Sequence, residues 1–138
     1  MTTSALAASY LKKALLRLEM LRFAYEREGF SDVVREAQEL VELALKGMLR
    51  AVGVDPPKVH EVGATLLLER ARFPSDLDVE MLARISRELR KDRELAFYGA
   101  EDLIPTEAYD RADAETAIRS AELVVEAARR VIGDHRSD

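Results

Sequence analysis

The sequence contains no cysteine and no tryptophan, and it has only two histidines, His60 and His135. Without cysteine the chain forms no disulfide bonds and offers no thiolate to a metal ion. The two histidines are far apart and belong to no metal-ligand spacing. A phosphate-binding glycine loop, a nucleophile elbow and a Glu-x-x-His pattern are also missing. We therefore expect no metal site and no resident cofactor.

Long hydrophobic runs are also missing from the sequence. No stretch approaches the roughly 20 apolar residues that a membrane-spanning helix needs. The first eight residues lack the charged start and apolar core of a signal peptide, so we expect a cytoplasmic protein that does not enter the membrane. The net charge of −5 and the pI of about 5.2 argue against a general DNA-binding protein, which is usually basic. They leave room for a local basic site.

Apolar residues recur at every third or fourth position along most of the chain, which is the period of a buried helix face. The pattern predicts four long helices and one short helix. The expected fold class is all-α, an antiparallel up-and-down helical bundle with short loops, in one domain over residues 1–138.

Local signals predict where several of these helices begin and end. Gly53 is expected to end the second helix, because glycine favours the left-handed conformation found just beyond helix ends. The short third helix is expected from about His60 to Arg72. Asp110, with Asp113 three residues later, resembles a capping box at the start of the last helix. Gly133 is expected to end that helix.

The predicted fourth helix has a concentration of basic residues that the rest of this acidic chain lacks. They are Arg84, Arg87, Arg90, Lys91 and Arg93. Leu82, Ile85, Leu89 and Ala96 form the apolar stripe that we expect to be buried. Arg93 falls within this stripe, about 40° from Leu89 by the helical period. A buried arginine is costly unless it is paired. An ion pair with a core acid such as Glu42 and a functional role for Arg93 are both open at this point.

Arg84, Arg87 and Lys91 fall in one row with Tyr98 on the outward face of this helix. A solvated surface is the simpler interpretation of that row, because glutamates are interspersed with the basic residues. A nucleic-acid contact is the alternative.

Three segments of the sequence resemble the HEPN domains of bacteria and archaea. They are residues 32–53, which include Glu42 and Lys46; Pro57-Lys58-Val59-His60, which is similar to the Lys-Thr-His of that family; and residues 92–109. The resemblance covers nearly the whole chain. It implies a helical bundle that pairs as a symmetric homodimer.

Active members of the HEPN family are metal-independent ribonucleases, and many form toxin–antitoxin pairs with a small nucleotidyltransferase. Their signature arginine matches Arg93, but Tyr98 occupies the position of their signature histidine. A tyrosine titrates near pH 10 and a histidine near 6.5, so tyrosine is the poorer proton carrier at neutral pH. Arg93 and Tyr98 are the candidate catalytic residues.

The resemblance implies a homodimer that partners a small nucleotidyltransferase and binds the phosphate of a nucleotide or RNA. The candidate binding residues are Arg87, Arg90, Lys91, Lys58 and His60. Two alternatives stay open, a ribonuclease with a degenerate Arg93–Tyr98 site and a structural helical adaptor. By resemblance, Tyr98 is also a candidate acceptor of a nucleotidyl group. A bracing role at the third helix is the simpler interpretation of His60.

Overall fold

A computed structural model describes residues 3–58, 61–98 and 109–136, and all regular structure within those ranges is helical. The helices are α1 (Thr3–Glu26), α2 (Phe30–Ala51), α3 (Val62–Leu68), α4 (Val79–Tyr98) and α5 (Arg111–Arg136), with a 3₁₀ turn at Arg70–Arg72. The all-α prediction, with four long helices and one short one, is confirmed. None of the described helices combines the length and apolar character needed to cross a membrane.

Helix α2 is the centre of the bundle, and α1, α5 and α4 pack around it. Its fully buried apolar residues recur every three or four positions, and they cover about half of the helix circumference. They are Val33, Val34, Ala37, Leu40, Val41, Ala44, Leu45, Met48 and Leu49. A buried face this wide is enough for several neighbouring helices to pack against α2.

Helices α1, α2 and α5 approach one another closely at Gly47. A Cβ atom at this position would lie 3.0 Å from Ile132 Cδ1 and from Tyr10 Cβ, and 3.3 Å from the carbonyl oxygen of Ala7. Buried alanines continue the same close approach along α1 and α5. They are Ala7, Ala14, Ala114, Ala121 and Ala128. Small side chains therefore set the spacing of these three helices.

The predicted end of α2 is confirmed by the backbone. Gly53 has a φ of +84°, a conformation that glycine adopts without steric cost. The N–H of Val54 then donates to the carbonyl of Leu49 at 2.9 Å, which satisfies an acceptor at the helix terminus.

The start of α5 is also as predicted. The N–H of Asp113 donates to Asp110 Oδ1 at 2.9 Å, and the N–H of Asp110 donates to Asp113 Oδ2 at 3.0 Å. These reciprocal hydrogen bonds form a capping box with aspartate in place of glutamate. The predicted end of α5 at Gly133 is wrong, because the helix continues to Arg136. A glycine in an exposed helix costs only about 1 kcal/mol, which is too little to end a well-packed helix.

The short third helix is shorter than predicted. Helix α3 covers Val62–Leu68, and the chain then tightens into the 3₁₀ turn before Phe73. The predicted start at His60 lies outside the described residues. Helix α3 packs closely against α4: a Cβ at Gly63 would lie 3.0 Å from the carbonyl oxygen of Ala83. Only glycine allows the two backbones to cross this closely.

Candidate functional site

Helix α4 carries most of the candidate residues, and its first turn is held in place by local contacts. Asp78 Oδ1 accepts a hydrogen bond from the N–H of Met81 at 3.0 Å, the expected role of an N-cap aspartate. Arg70 Nη1 donates to Glu80 Oε1 at 3.2 Å, and Arg72 Nη1 donates to the carbonyl of Val52 at 3.2 Å. The start of α4 therefore lies at the C-terminal end of α2, and the two helices run antiparallel.

The inner face of α4 combines apolar residues with one buried hydroxyl group. Leu82, Ile85 and Leu89 are buried, as the sequence predicted, and Ser86 is also buried. Position 93 follows Leu89 by four residues and Ser86 by seven, so the helical period places it on the same side of α4. The side chains of residues 92–98, including the predicted site residues Arg93 and Tyr98, lie outside the described residues.

Glu42 on α2 faces α4 and already interacts with two cations. Its Oε1 lies 3.7 Å from Arg90 Nη1, and its Oε2 lies 3.9 Å from Lys46 Nζ. Both distances exceed that of a hydrogen bond, and such partly exposed ion pairs contribute about 0–1 kcal/mol each. The core acid that the sequence suggested as a partner for Arg93 is thus occupied by Arg90 and Lys46.

The outer face of α4 carries Arg84, Arg87 and Lys91, all exposed as predicted. Within the described part of the chain, no carboxylate lies within ion-pair distance of these three side chains. Elsewhere on the surface, many arginines do have carboxylate partners. Examples are the pairs Arg17–Glu36 at 3.1 Å, Arg22–Glu122 at 2.8 Å and Arg111–Glu28 at 2.9 Å. We call Arg84, Arg87 and Lys91 the basic row.

Lys58, another predicted binding residue, is exposed and lies near the C-terminal end of α2. The loop that carries it is held there by Arg50 Nη1, which lies 3.3 Å from Asp55 Oδ1. Leu89, in contrast, lines a groove with Val34 near the N-terminal end of α2. The structure therefore does not place Lys58 beside the second half of α4. His60, its predicted companion, lies outside the described residues.

The groove next to Leu89 separates α4 from α5 and has a volume of about 120 Å³. Its walls combine apolar side chains with acids and hydroxyl groups. They are Val34, Ile85, Glu88, Leu89, Asp113, Thr116, Ala117 and Ser120. A rim that includes two carboxylates is unsuited to an anion, so the basic row is the better phosphate-binding surface. No cluster of three or more potential metal-ligating side chains occurs among the described residues.

Sequence reasoning missed Gln38, which is 3% exposed on α2. Its Oε1 is buried and accepts no hydrogen bond from the residues that the structure describes. Leaving such an acceptor unsatisfied costs about 1–3 kcal/mol. The signal was present in the sequence, because Gln38 interrupts the apolar positions Val34, Val41 and Leu45 in the same way that Arg93 interrupts those of α4.

Comparison with known proteins gives a match to a protein family. The model of the HEPN domain family matches residues 7–131. No curated protein and no solved structure matches the chain significantly. The family match covers α1 through most of α5, and therefore includes the whole of α2 and α4. This protein belongs to the HEPN family.

Proposed function

We propose that this HEPN protein is a homodimeric binding module that holds the phosphate of a nucleotide or RNA and partners a small nucleotidyltransferase. The observation that carries the proposal is the basic row on α4. These cations are exposed, have no carboxylate partner in the described structure, and lie on the helix that carries Arg93. A cation without an internal partner keeps its full charge for an external anion.

Binding is favoured over catalysis by the regularity of α4. The helix stays α-helical from Val79 to Tyr98, so positions 93 and 98 differ by about 140° around its axis. By this period, a helix distortion or a second chain would be needed to bring both side chains into one pocket. In a two-fold dimer, two Arg93 guanidinium groups would meet near the axis, and a bound anion would relieve their repulsion.

The binding proposal is tested by fluorescence anisotropy with a labelled single-stranded RNA and, separately, a labelled adenine nucleotide. Replacing Arg84, Arg87 and Lys91 together by glutamine should weaken RNA binding about tenfold or more at low salt and reduce its salt dependence. The matched control replaces Lys12 and Lys13 of α1 and Arg27 just after it, which removes the same charge from other exposed positions. Equal weakening by both triple variants would show that only net charge matters.

The partner proposal is tested by co-purification from the native host, followed by mass spectrometry. Recovery of a small nucleotidyltransferase with the wild-type protein would support it. Recovery of neither such an enzyme nor a bound nucleotide would count against the proposed function as a whole.

The second candidate is a metal-independent ribonuclease, which the Arg93-to-Tyr98 spacing of the family signature supports. Incubating RNA with the wild-type protein and with Arg93→Ala, both in excess EDTA, separates it from the binding proposal. Cleavage by the wild type alone would establish the nuclease. Equal cleavage by both proteins, or by neither, would remove it.

A further inference from the structure

We infer that the outer face of α1 is a contact surface between two copies of this chain, whose α1 helices pair antiparallel about a two-fold axis. The contact is made by Leu16, Met20 and Phe23, which we call the α1 strip. These side chains are 57%, 46% and 58% exposed. The inference goes beyond the proposed function and does not rest on it, because the α1 strip and the basic row lie on different helices.

Helix α1 is apolar on two opposite sides. Ala14, Leu18 and Leu21 are buried in the core of the bundle. By the helical period, the α1 strip points about 160° away from them. A surface helix usually has polar side chains on that outer face. An exposed row of large apolar side chains is instead typical of a contact with another protein.

The three side chains of the α1 strip form one continuous row. They are spaced by four and then three residues, so they span about 10 Å along the helix and stay on one side of it. Among the described residues, only Leu68 and Leu123 are comparably exposed large apolar side chains, and neither lies on α1. Apolar exposure is thus concentrated on the outer face of α1.

The charges beside the α1 strip favour an antiparallel second copy. Lys12, Glu19 and Glu26 are exposed and spaced by seven residues, so they share one edge of the strip. In an antiparallel two-fold pair the same edges of the two helices adjoin, and the N-terminal end of each helix meets the C-terminal end of the other. Lys12 of one copy therefore lies beside Glu26 of the other, and the symmetry forms this ion pair twice.

The same alignment packs the apolar side chains against one another. With Lys12 level with Glu26 of the second copy, Leu16 of one copy falls between Met20 and Phe23 of the other, as a knob fits into a hole. A parallel pair would instead bring each side chain against its own copy, including Lys13 against Lys13. The antiparallel arrangement avoids that repulsion.

One group opposes the pairing, and it also argues against a different occupant. Glu19 lies midway between Lys12 and Glu26, so the two-fold axis brings it near Glu19 of the second copy. Exposed like charges repel weakly at physiological salt, so this reduces the affinity without preventing the contact. The same acids would repel an anionic lipid surface. Because the strip is smaller than the roughly 800 Å² per partner of a standard interface, we expect weak association.

The contact is tested by sedimentation of the full chain at concentrations from about 10 to about 500 μM. The average mass of the wild type should rise about twofold over this range. Met20→Glu places a charge in the middle of the contact and should abolish the rise. Leu123→Glu, at a 51% exposed position on α5, is the matched control and should leave it unchanged. A wild-type mass that stays constant, or a rise that persists in Met20→Glu, would overturn the inference.

The antiparallel register is tested by exchanging charges. Lys12→Glu and Glu26→Lys should each weaken the association about fivefold, and the double variant should restore it. Glu19→Gln should strengthen it, because it removes the repulsion near the axis. A double variant that associates no better than the single variants would refute this register.

The absence of cysteine allows a direct test of proximity. Glu19→Cys should form covalent pairs with a short bis-maleimide cross-linker, because the two copies of this position meet near the axis. Leu123→Cys is the control and should give few such pairs. Equal yields from the two variants would contradict the proposed contact even if Met20→Glu failed to fold.

These outcomes are separate from those of the proposed function. The RNA titrations use protein too dilute for a weak contact between copies, so a loss of RNA binding in the basic-row variant leaves the α1 inference untouched. If Met20→Glu keeps the wild-type mass but no longer recovers a co-purifying nucleotidyltransferase, the α1 strip binds that partner, and the contact between copies is refuted.

Discussion

The two sides of α2 are packed by different chemistry. On the side of α1 and α5, glycine and alanine bring the backbones together, and large aliphatic side chains such as Leu40 fill the space between them. On the side of α4, the apolar contacts are interrupted by the charged groups of Glu42 and Arg90, and a groove opens toward α5.

This difference means that the helices that contribute most to stability are not the helix that carries the candidate binding residues. Dispersion and the hydrophobic effect reward the close contact of α1, α2 and α5, where every filled space adds to the free energy of unfolding. Buried polar groups add little to that free energy and fix geometry instead. Helix α4, which carries the candidate binding residues, thus packs on the stable part of the bundle through an interface whose polar contacts fix its position.

The largest expected effect compares one leucine from each side. Leu40→Ala should lower the free energy of unfolding by about 4 kcal/mol, because the closely packed core cannot collapse around the cavity. Leu89→Ala should cost about 2 kcal/mol, because the groove beside it already admits water. Urea unfolding monitored by circular dichroism measures both values. The control is Leu68→Ala, 85% exposed, which should change stability by less than about 0.5 kcal/mol.

An equal loss at Leu40 and Leu89 would contradict the comparison. It would mean that the interface between α2 and α4 is packed as tightly as the core, and that the groove closes in solution.

A second, smaller effect compares two helical glycines. Gly133→Ala should raise the free energy of unfolding by about 1 kcal/mol, because alanine is the better helix former and nothing lies within 4 Å of the new Cβ. Gly47→Ala gains the same propensity but places its Cβ 3.0 Å from Tyr10 Cβ and 3.3 Å from a backbone oxygen. We expect a net loss of stability there, measured as above. A gain at Gly47 as large as that at Gly133 would show that the α1–α2–α5 contact can relax.

The smallest expected effect is a dependence of stability on pH at the start of α5. The hydrogen bond from the backbone of Asp113 lowers the pKa of Asp110 below its ordinary value. A carboxyl group with a lowered pKa in the folded state stabilises the protein above its unfolded pKa near 4, and this contribution is lost as the pH falls through the folded pKa. Asp110→Asn keeps a capping acceptor that does not titrate.

The urea midpoint of wild type should therefore fall more than that of Asp110→Asn between pH 6 and pH 3. Parallel curves for the two proteins would mean that the capping carboxylate does not contribute to this pH dependence.

The periodicity of the sequence was sufficient to predict the helices and the face of each helix that is buried. Leu82, Ile85 and Leu89 were predicted to be buried and are, and the capping box at Asp110 is present. Gly133 was misassigned as a helix end because local propensity is weak compared with tertiary packing, which keeps α5 helical beyond it. The predicted roles of Arg93, Tyr98 and His60 stay predictions, since those side chains lie outside the described residues.

The candidate site was only partly accessible from the sequence. The outward position of the basic row could be predicted from the helical period alone. The ion pair of Glu42 with Arg90 of α4, and the separation of Lys58 from the second half of α4, could not. These depend on which helices are neighbours and in which register, and residues on different helices have no fixed relation in a linear sequence.

By itself, the sequence determined that the chain is helical and which face of each helix is apolar, because 3.6 residues per turn links local spacing to direction. The tertiary structure alone decided that Gln38 is buried and that its Oε1 has no hydrogen-bond partner among the described residues. In a sequence a buried amide looks like any other polar residue, and only the packing of neighbouring helices removes the water that would otherwise satisfy its oxygen.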